Sequence, residues 1–184
     1  MRGVSTLGLL AAFILPITVG SAAGAAKSRP VSADIVWGSG RLADKGRPGD
    51  VRVTLGNGRR EMWTRKGNCV LAHVSKSGLV GWTRGKVVHH TQGLINDTLV
   101  IAREDKVLAR ITAYYPFIDV WDFADGDSCV IVLSRGPHGP GHFEKFRIKD
   151  GNSLGACYES ERDSRPDWAK RFLEKAYREG TYLE

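Results

Sequence analysis

Two histidines with three residues between them are the first candidates for chemistry in this chain. His138 and His142 lie in a stretch rich in Gly and Pro, Gly136-Pro137-His138-Gly139-Pro140-Gly141-His142, which predicts a loop between two strands. Loops on a rigid sheet are frequent places for binding sites. Imidazole nitrogens bind zinc and similar metals or transfer protons, so this loop could serve a metal-dependent hydrolase.

The spacing of the two histidines is weak support for a metal site. In zinc proteins an H-x3-H pair lies on a helix that puts both rings on one face, or accompanies a C-x-x-C pair, and this chain offers neither. Further ligands would have to come from other segments, the candidates being His73, His89, His90, Asp119, Asp122 and Glu144. The pattern favours an ordinary histidine loop, and we predict no metal ligand, no cofactor and no catalytic residue.

An aromatic segment supplies the other candidates for a site. Tyr114 and Tyr115 precede Pro116 and Phe117, and their rings could stack on a sugar or a peptide. The alternative is a packed loop under the sheet. The two tyrosines join His138 and His142 as the four candidate binding residues.

Other known signatures are absent from the sequence. It contains no G-x-S-x-G elbow, and the glycines of residues 81–86 lack the spacing of a phosphate-binding loop. An acidic run (Asp119, Asp122, Asp125 and Asp127) departs from the calcium-loop pattern and predicts a solvated hairpin turn. No segment resembles a known family.

Short apolar runs separated by turn residues predict that these candidates are positioned by β-strands. Val51 to Leu55 alternates with a period of two, and Gly56-Asn57-Gly58 then predicts a hairpin into residues 59–63. Further strands are predicted at residues 69–74, 79–82, 86–90, 98–103, 107–112, 118–123, 129–133, 143–148 and 154–157. Such close spacing without intervening helices predicts antiparallel meanders.

The periodicity changes only near the C-terminus. Trp168, Phe172, Leu173 and Tyr177 recur at helical spacing, which predicts one amphipathic helix over about residues 165–179 that packs its aromatic stripe on the sheet. Ser164 with Asp167 resembles a capping box. We therefore predict a mainly β fold of blade-like sheets or a sandwich, not a closed propeller, with one C-terminal helix.

The N-terminus has the layout of a secretory signal peptide. Arg2 precedes an apolar run over residues 7–19, and Ser21 and Ala23 provide the small residues of a cleavage site. We predict a signal peptide over residues 1–23, a flexible segment over 24–33 and a single domain over 34–184. This predicts a secreted or periplasmic protein with no transmembrane anchor after cleavage.

Charge and cysteine content constrain the partners. The chain has 27 Lys and Arg against 20 Asp and Glu, a net charge of +7, and the basic residues are scattered. An anionic envelope polymer or a protein partner fits this charge, whereas no nucleic-acid module is recognisable. Export would bring Cys69, Cys129 and Cys157 into an oxidising compartment. The sequence therefore allows either a disulfide between two of them or three buried free thiols.

The sequence does not determine an activity. The interpretation that we favour is a non-enzymatic exported β module that binds a partner or polymer through its loops. The alternative is a secreted or periplasmic hydrolase, metal-dependent or not, that uses His138 and His142.

Overall fold

The computed structural model describes residues 28–36, 49–88 and 93–180. The predicted signal peptide lies outside these residues, as do residues 24–27 of the predicted flexible segment, His89 and His90. Strand β1 begins at Pro30, inside the segment predicted to be flexible.

The described residues form eleven strands and one helix, which confirms the prediction of a mainly β fold with a C-terminal helix. The elements are β1 (Pro30–Val36), β2 (Asp50–Leu55), β3 (Arg60–Met62), β4 (Cys69–Val74), β5 (Val80–Val88), β6 (Gly93–Arg103), β7 (Lys106–Thr112), β8 (Phe117–Ala124), β9 (Cys129–Arg135), β10 (His142–Arg147), β11 (Ser153–Tyr158) and α1 (Asp167–Arg178).

The strands form two consecutive antiparallel meanders and a small separate sheet. Strands β4 to β7 pair in chain order, and so do β8 to β11. Strands β1, β2 and β3 form the three-stranded sheet. The predicted hairpin is the β2–β3 pair, in which Arg52 lies opposite Met62.

The two meanders join at one point. The first part of β6 approaches the start of β8 in parallel, with Asn96 opposite Phe117. The buried Asn96 side chain donates from Nδ2 to the Ile118 carbonyl at 2.8 Å. This bond satisfies polar groups that the change of partner from β8 to β7 would otherwise leave buried.

Alternation along the strands builds a four-layer molecule. In β6, Leu99 and Ile101 face the core between the meanders, while Val100 and Ala102 face the small sheet. Strand β9 is buried on both faces in the same manner: Val132 lies in the core between the meanders, and Leu133 lies under the helix. The layers are therefore the small sheet, the first meander, the second meander and the helix.

Trp121 of β8 fixes the packing between the meanders. Its side chain is fully buried, and a Cβ on Gly81 of β5 would overlap its indole ring. The absence of a side chain at Gly81 thus creates the space that Trp121 fills.

The helix covers the outer face of the second meander, as the aromatic stripe predicted. Phe172 and the smaller Ala169 and Ala176 pack on Leu133 and Phe143. The predicted capping box is wrong, because the helix starts two residues later than Ser164 as N-cap would require. Pro166 is the N-cap and makes no side-chain cap hydrogen bond.

One detail of the first meander differs from the prediction. The predicted strands 79–82 and 86–90 fall on one strand, β5, which runs to Val88 in the described residues and has an irregularity between Arg84 and Lys86. There the Gly85 amide donates to the Asn68 carbonyl at 2.6 Å, so the chain bulges without ending the strand.

The structure contains no disulfide among the three cysteines, which was one of the two alternatives that the sequence allowed. Cys69, Cys129 and Cys157 are buried free thiols. Cys69 packs between the small sheet and the first meander, whereas Cys157 packs under the helix. Cys69 and Cys157 thus act as small apolar side chains in separate parts of the core, whereas the Cys129 thiol lies 3.7 Å from Ser128 Oγ.

Within the described ranges, no helix has the length and apolar character that crossing a membrane requires.

Candidate functional site

Three tyrosines surround one histidine at an end of the second meander. We call this group, Tyr114, Tyr115, His142 and Tyr158, the tyrosine cluster. The His142 ring centroid lies 4.7 Å from that of Tyr114, 4.9 Å from that of Tyr158 and 6.0 Å from that of Tyr115. The two neighbouring tyrosines meet nearly at right angles, with their centroids 4.8 Å apart. Tyr114 is 62% exposed, so the cluster presents an aromatic ring to solvent.

Strand register brings the cluster together. His142 is the first residue of β10 and pairs directly with Tyr158 of β11 and with Ser134 of β9. Directly paired residues project from the same face of a sheet. Tyr114 and Tyr115 come from the short link between β7 and β8 and lie across this face.

Two hydrogen bonds hold that link against the sheet. The Tyr114 amide donates to Glu144 Oε2 at 2.7 Å, and the Tyr115 amide donates to Ser134 Oγ at 3.3 Å. Glu144 and Ser134 are themselves buried. The tyrosine backbone is therefore fixed by rigid strand residues, although it lies in a loop.

His142 is the buried centre of the cluster. It is 7% exposed, and its Nδ1 atom lies 3.8 Å from Glu144 Oε2. That separation is too long for a hydrogen bond, and Nδ1 has no hydrogen-bond partner among the described residues. The ring thus acts as an aromatic support beneath Tyr114.

The phenol groups also interact with one another. A hydrogen bond with Tyr114 raises the pKa of Tyr158 above its ordinary value, and the nearby Tyr115 adds to the effect. A raised pKa keeps Tyr158 neutral, because the hydrogen bond that its hydroxyl makes in the neutral form would be lost on ionisation.

A charged network secures the loop that precedes His142. Arg135 Nε lies 2.7 Å from Asp119 Oδ2, and Arg135 Nη2 lies 2.8 Å from Glu159 Oε2. The Gly141 amide donates to the same Glu159 oxygen at 3.0 Å. Burial raises the pKa of Asp119, although Arg135 opposes this shift.

The structure separates the two histidines that the sequence grouped in one loop. His138 is exposed in the loop, whereas His142 is a buried residue of a strand. The prediction that β10 begins at Phe143 was one residue late. Among the described residues, no group of three or more His, Cys, Asp or Glu side chains could hold a metal ion.

The structure therefore brings together three of the four candidates, Tyr114, Tyr115 and His142. Sequence reasoning missed Tyr158 and Ser134 and named Glu144 only as a metal ligand. Glu144 lies two residues after His142, so strand alternation alone places both on one face. Tyr158 depends on the register between β10 and β11, for which the sequence gives no comparable signal.

A second polar site lies between the meanders and the helix. We call it the His73 cavity: a space of about 190 Å³ whose lining includes His73, Trp121, Asp122, Lys175 and Glu179. The His73 and Trp121 rings meet edge to face with their centroids 4.8 Å apart. Burial lowers the pKa of His73, so its neutral form is favoured.

The charged groups of the His73 cavity are mutually paired. Lys175 contacts Asp122 closely, and its Nζ atom lies 3.9 Å from Glu179 Oε1. Burial alone would lower the pKa of Lys175, but these two carboxylates raise it. The acidic run of the sequence thus divides. Asp122 belongs to this ion pair, whereas Asp125 and Asp127 occupy the predicted turn with positive φ angles of 50° and 69°.

Charge is distributed unevenly between the two parts of the molecule. We call the described residues up to 112 the basic half and residues 113–180 the acidic half. The basic half carries twelve Lys and Arg against six Asp and Glu, a net +6, and the acidic half carries ten against twelve, a net −2. The tyrosine cluster lies in the acidic half.

No protein-family model matches this chain, and no curated protein matches it.

Proposed function

We propose that this protein is a non-enzymatic binding module, secreted or periplasmic, that holds its ligand on the tyrosine cluster. The proposal rests on the exposure of Tyr114: its ring is mostly exposed although its backbone amide donates a hydrogen bond to the buried Glu144 carboxylate. A tyrosine offers a large apolar face and a polar hydroxyl at small entropic cost, which makes it an effective contact residue.

The support beneath Tyr114 adds weight to a binding function. His142, Glu144 and Ser134 belong to paired strands, so little conformational freedom is lost when a ligand contacts the rings above them. Preorganisation of this kind increases affinity without additional contacts.

Export is the second part of the proposal, and it rests on the N-terminal sequence. A basic start, a short apolar run and small residues at Ser21 and Ala23 are typical of a cleaved leader. The N-terminal residue of the mature protein tests this directly: we expect Gly24 when the chain is recovered from outside the cytoplasm. Recovery of the uncut chain in the cytoplasm would contradict it.

The basic half supports an additional contact with an anionic envelope polymer or with an acidic protein. Its net +6 favours attraction to such partners, and this attraction weakens as salt screens it. In this proposal the basic half provides general attraction and the tyrosine cluster provides selectivity.

The hydrolase alternative assigns metal binding or proton transfer to His138 and His142. Stoichiometric zinc, manganese or iron in the purified protein, lost in both His138→Ala and His142→Ala variants, would support the alternative against a binding module.

The binding module is tested by equilibrium titration with a panel of saccharides, peptides and small organic cations. We expect at least one class to bind the wild-type protein and Met62→Ala equally, and to bind Tyr114→Ala at least about tenfold more weakly. Met62 is a matched control because it is also an exposed large side chain, on the small sheet. Equal binding by all three proteins would overturn the proposal.

A further inference from the structure

We propose that the ligand of the tyrosine cluster carries an organic ammonium group. This inference rests on the proposed binding function and adds the chemical class of the ligand. The face of an aromatic ring carries negative electrostatic potential, so an ammonium group is attracted to it. The tyrosine cluster provides three phenol rings, in which Tyr114 and Tyr115 pack edge to face and Tyr114 keeps 62% of its surface exposed to a ligand.

The charges around the cluster favour the same class. Glu144 bonds the Tyr114 amide, Glu159 follows Tyr158, and Asp119 and Glu159 share Arg135. Arg165 also lies here, because its Nη2 atom donates to the Glu159 carbonyl. Three carboxylates against two guanidinium groups give a formal local charge of −1 in a protein whose net charge is +7. This local reversal attracts cations to the rings and repels anions from them.

The hydrogen bonds and ion pairs that these carboxylates already make favour an organic cation over a metal ion as the ligand. Glu144 Oε2 already accepts the Tyr114 amide, and Glu159 Oε2 accepts the Gly141 amide and faces Arg135. Divalent cations need several oxygen ligands free to coordinate directly. Carboxylates that are already bonded still contribute their field, which is what a bulky ammonium group on an aromatic face requires.

The experiment compares choline with 3,3-dimethylbutan-1-ol, its uncharged analogue of the same shape, by isothermal titration calorimetry at low salt. We expect choline to bind the mature protein at least about fivefold more tightly than the alcohol. Vesicles of phosphatidylcholine form a second arm. Binding to choline and vesicles alike indicates a lipid headgroup, whereas binding to choline alone indicates a soluble ligand or a polymer-borne amine.

Variants assign the effect to the rings and the charges. Tyr114→Phe keeps the aromatic face and should retain choline binding within about twofold, whereas Tyr114→Leu removes it and should weaken binding at least about fivefold. Glu159→Gln should lower the preference for choline over the alcohol. Glu144→Gln should do the same, and its unfolding midpoint is measured because Glu144 is buried. Met62→Ala should bind as the wild type does.

The outcomes separate the two proposals. If the alcohol binds the cluster as tightly as choline, or if only uncharged saccharides or peptides bind there, the ammonium inference is overturned and the binding module stands. If Tyr114→Ala changes the binding of no ligand in the panel, the binding module fails and the inference fails with it.

Discussion

The two meanders have the same strand order but differ in what covers them and in what they carry. The first lies under the small sheet through Val51, Val53 and Leu55, and it belongs to the basic half. The second lies under the helix through Phe172, and it carries the tyrosine cluster and the acidic half. One simple architecture, used twice, therefore forms two regions of opposite net charge, and among the described residues only the second has an exposed aromatic ring on a buried polar support.

The largest expected effect comes from breaking the contact between the meanders. Trp121→Ala removes the indole that fills the space above Gly81, and we expect a loss of about 3–5 kcal/mol in the free energy of unfolding. Urea unfolding followed by circular dichroism measures it. Met62→Ala, at an exposed position, should change stability by less than about 0.5 kcal/mol. A loss below about 1 kcal/mol for Trp121→Ala would mean that the meanders do not depend on each other through this residue.

A smaller effect is expected at the strand junction. Asn96→Ala leaves the Ile118 carbonyl buried without its side-chain donor, which should cost about 1–3 kcal/mol by the same measurement. The exposed Asn57→Ala, in the β2–β3 turn, provides a comparison at the surface. If Asn96→Ala is no more destabilising than Asn57→Ala, the junction is not held by this bond.

The sequence predicts the strands and the helix better than the contacts between distant residues. Period-two patterns predicted the strands, and the helical stripe predicted the helix, because both are local consequences of burial on one face. The pairing of His142 with Tyr158 and the contact of Trp121 with Gly81 join residues far apart in the chain, and many registers would satisfy the same local pattern. Tyr114 and Tyr115 were found because aromatic residues in a loop are conspicuous, whereas Tyr158 resembled any other strand residue.

The His73 cavity should make stability depend on pH. Burial depresses the pKa of His73 in the folded protein, so the unfolded chain takes up this proton first, near the ordinary histidine pKa of about 6.5. The stabilising contribution is thus present above that pH and is lost as the pH falls through the folded pKa. Urea unfolding of wild type and His73→Gln between pH 7.5 and 5.5 tests this: the wild type should lose more stability on acidification. Parallel profiles for the two proteins would contradict the assignment.

The smallest expected effect concerns the charge difference between the halves. Substitutions that reverse the charges of Arg65 and Arg84, in the basic half, should lower the NaCl concentration that elutes the protein from an immobilised polyanion. Substitutions that reverse the charges of Lys170 and Arg171, on the helix, change the net charge by the same amount. They should lower the eluting NaCl concentration about half as much. Equal shifts would mean that net charge alone governs the attraction and that the two halves do not differ in this respect.

Above all, we propose that ligands bind at the tyrosine cluster of the second meander. Amide chemical-shift mapping of the ¹⁵N-labelled mature protein, titrated with the tightest-binding member of the ligand panel, tests this most directly. We expect the largest shifts at Tyr114, whose amide is bonded to Glu144, and at Tyr115 and Tyr158, with the His73 cavity and the basic half nearly unchanged. Largest shifts around His73 and Lys175, or across the small sheet, with the tyrosine amides unmoved, would contradict it.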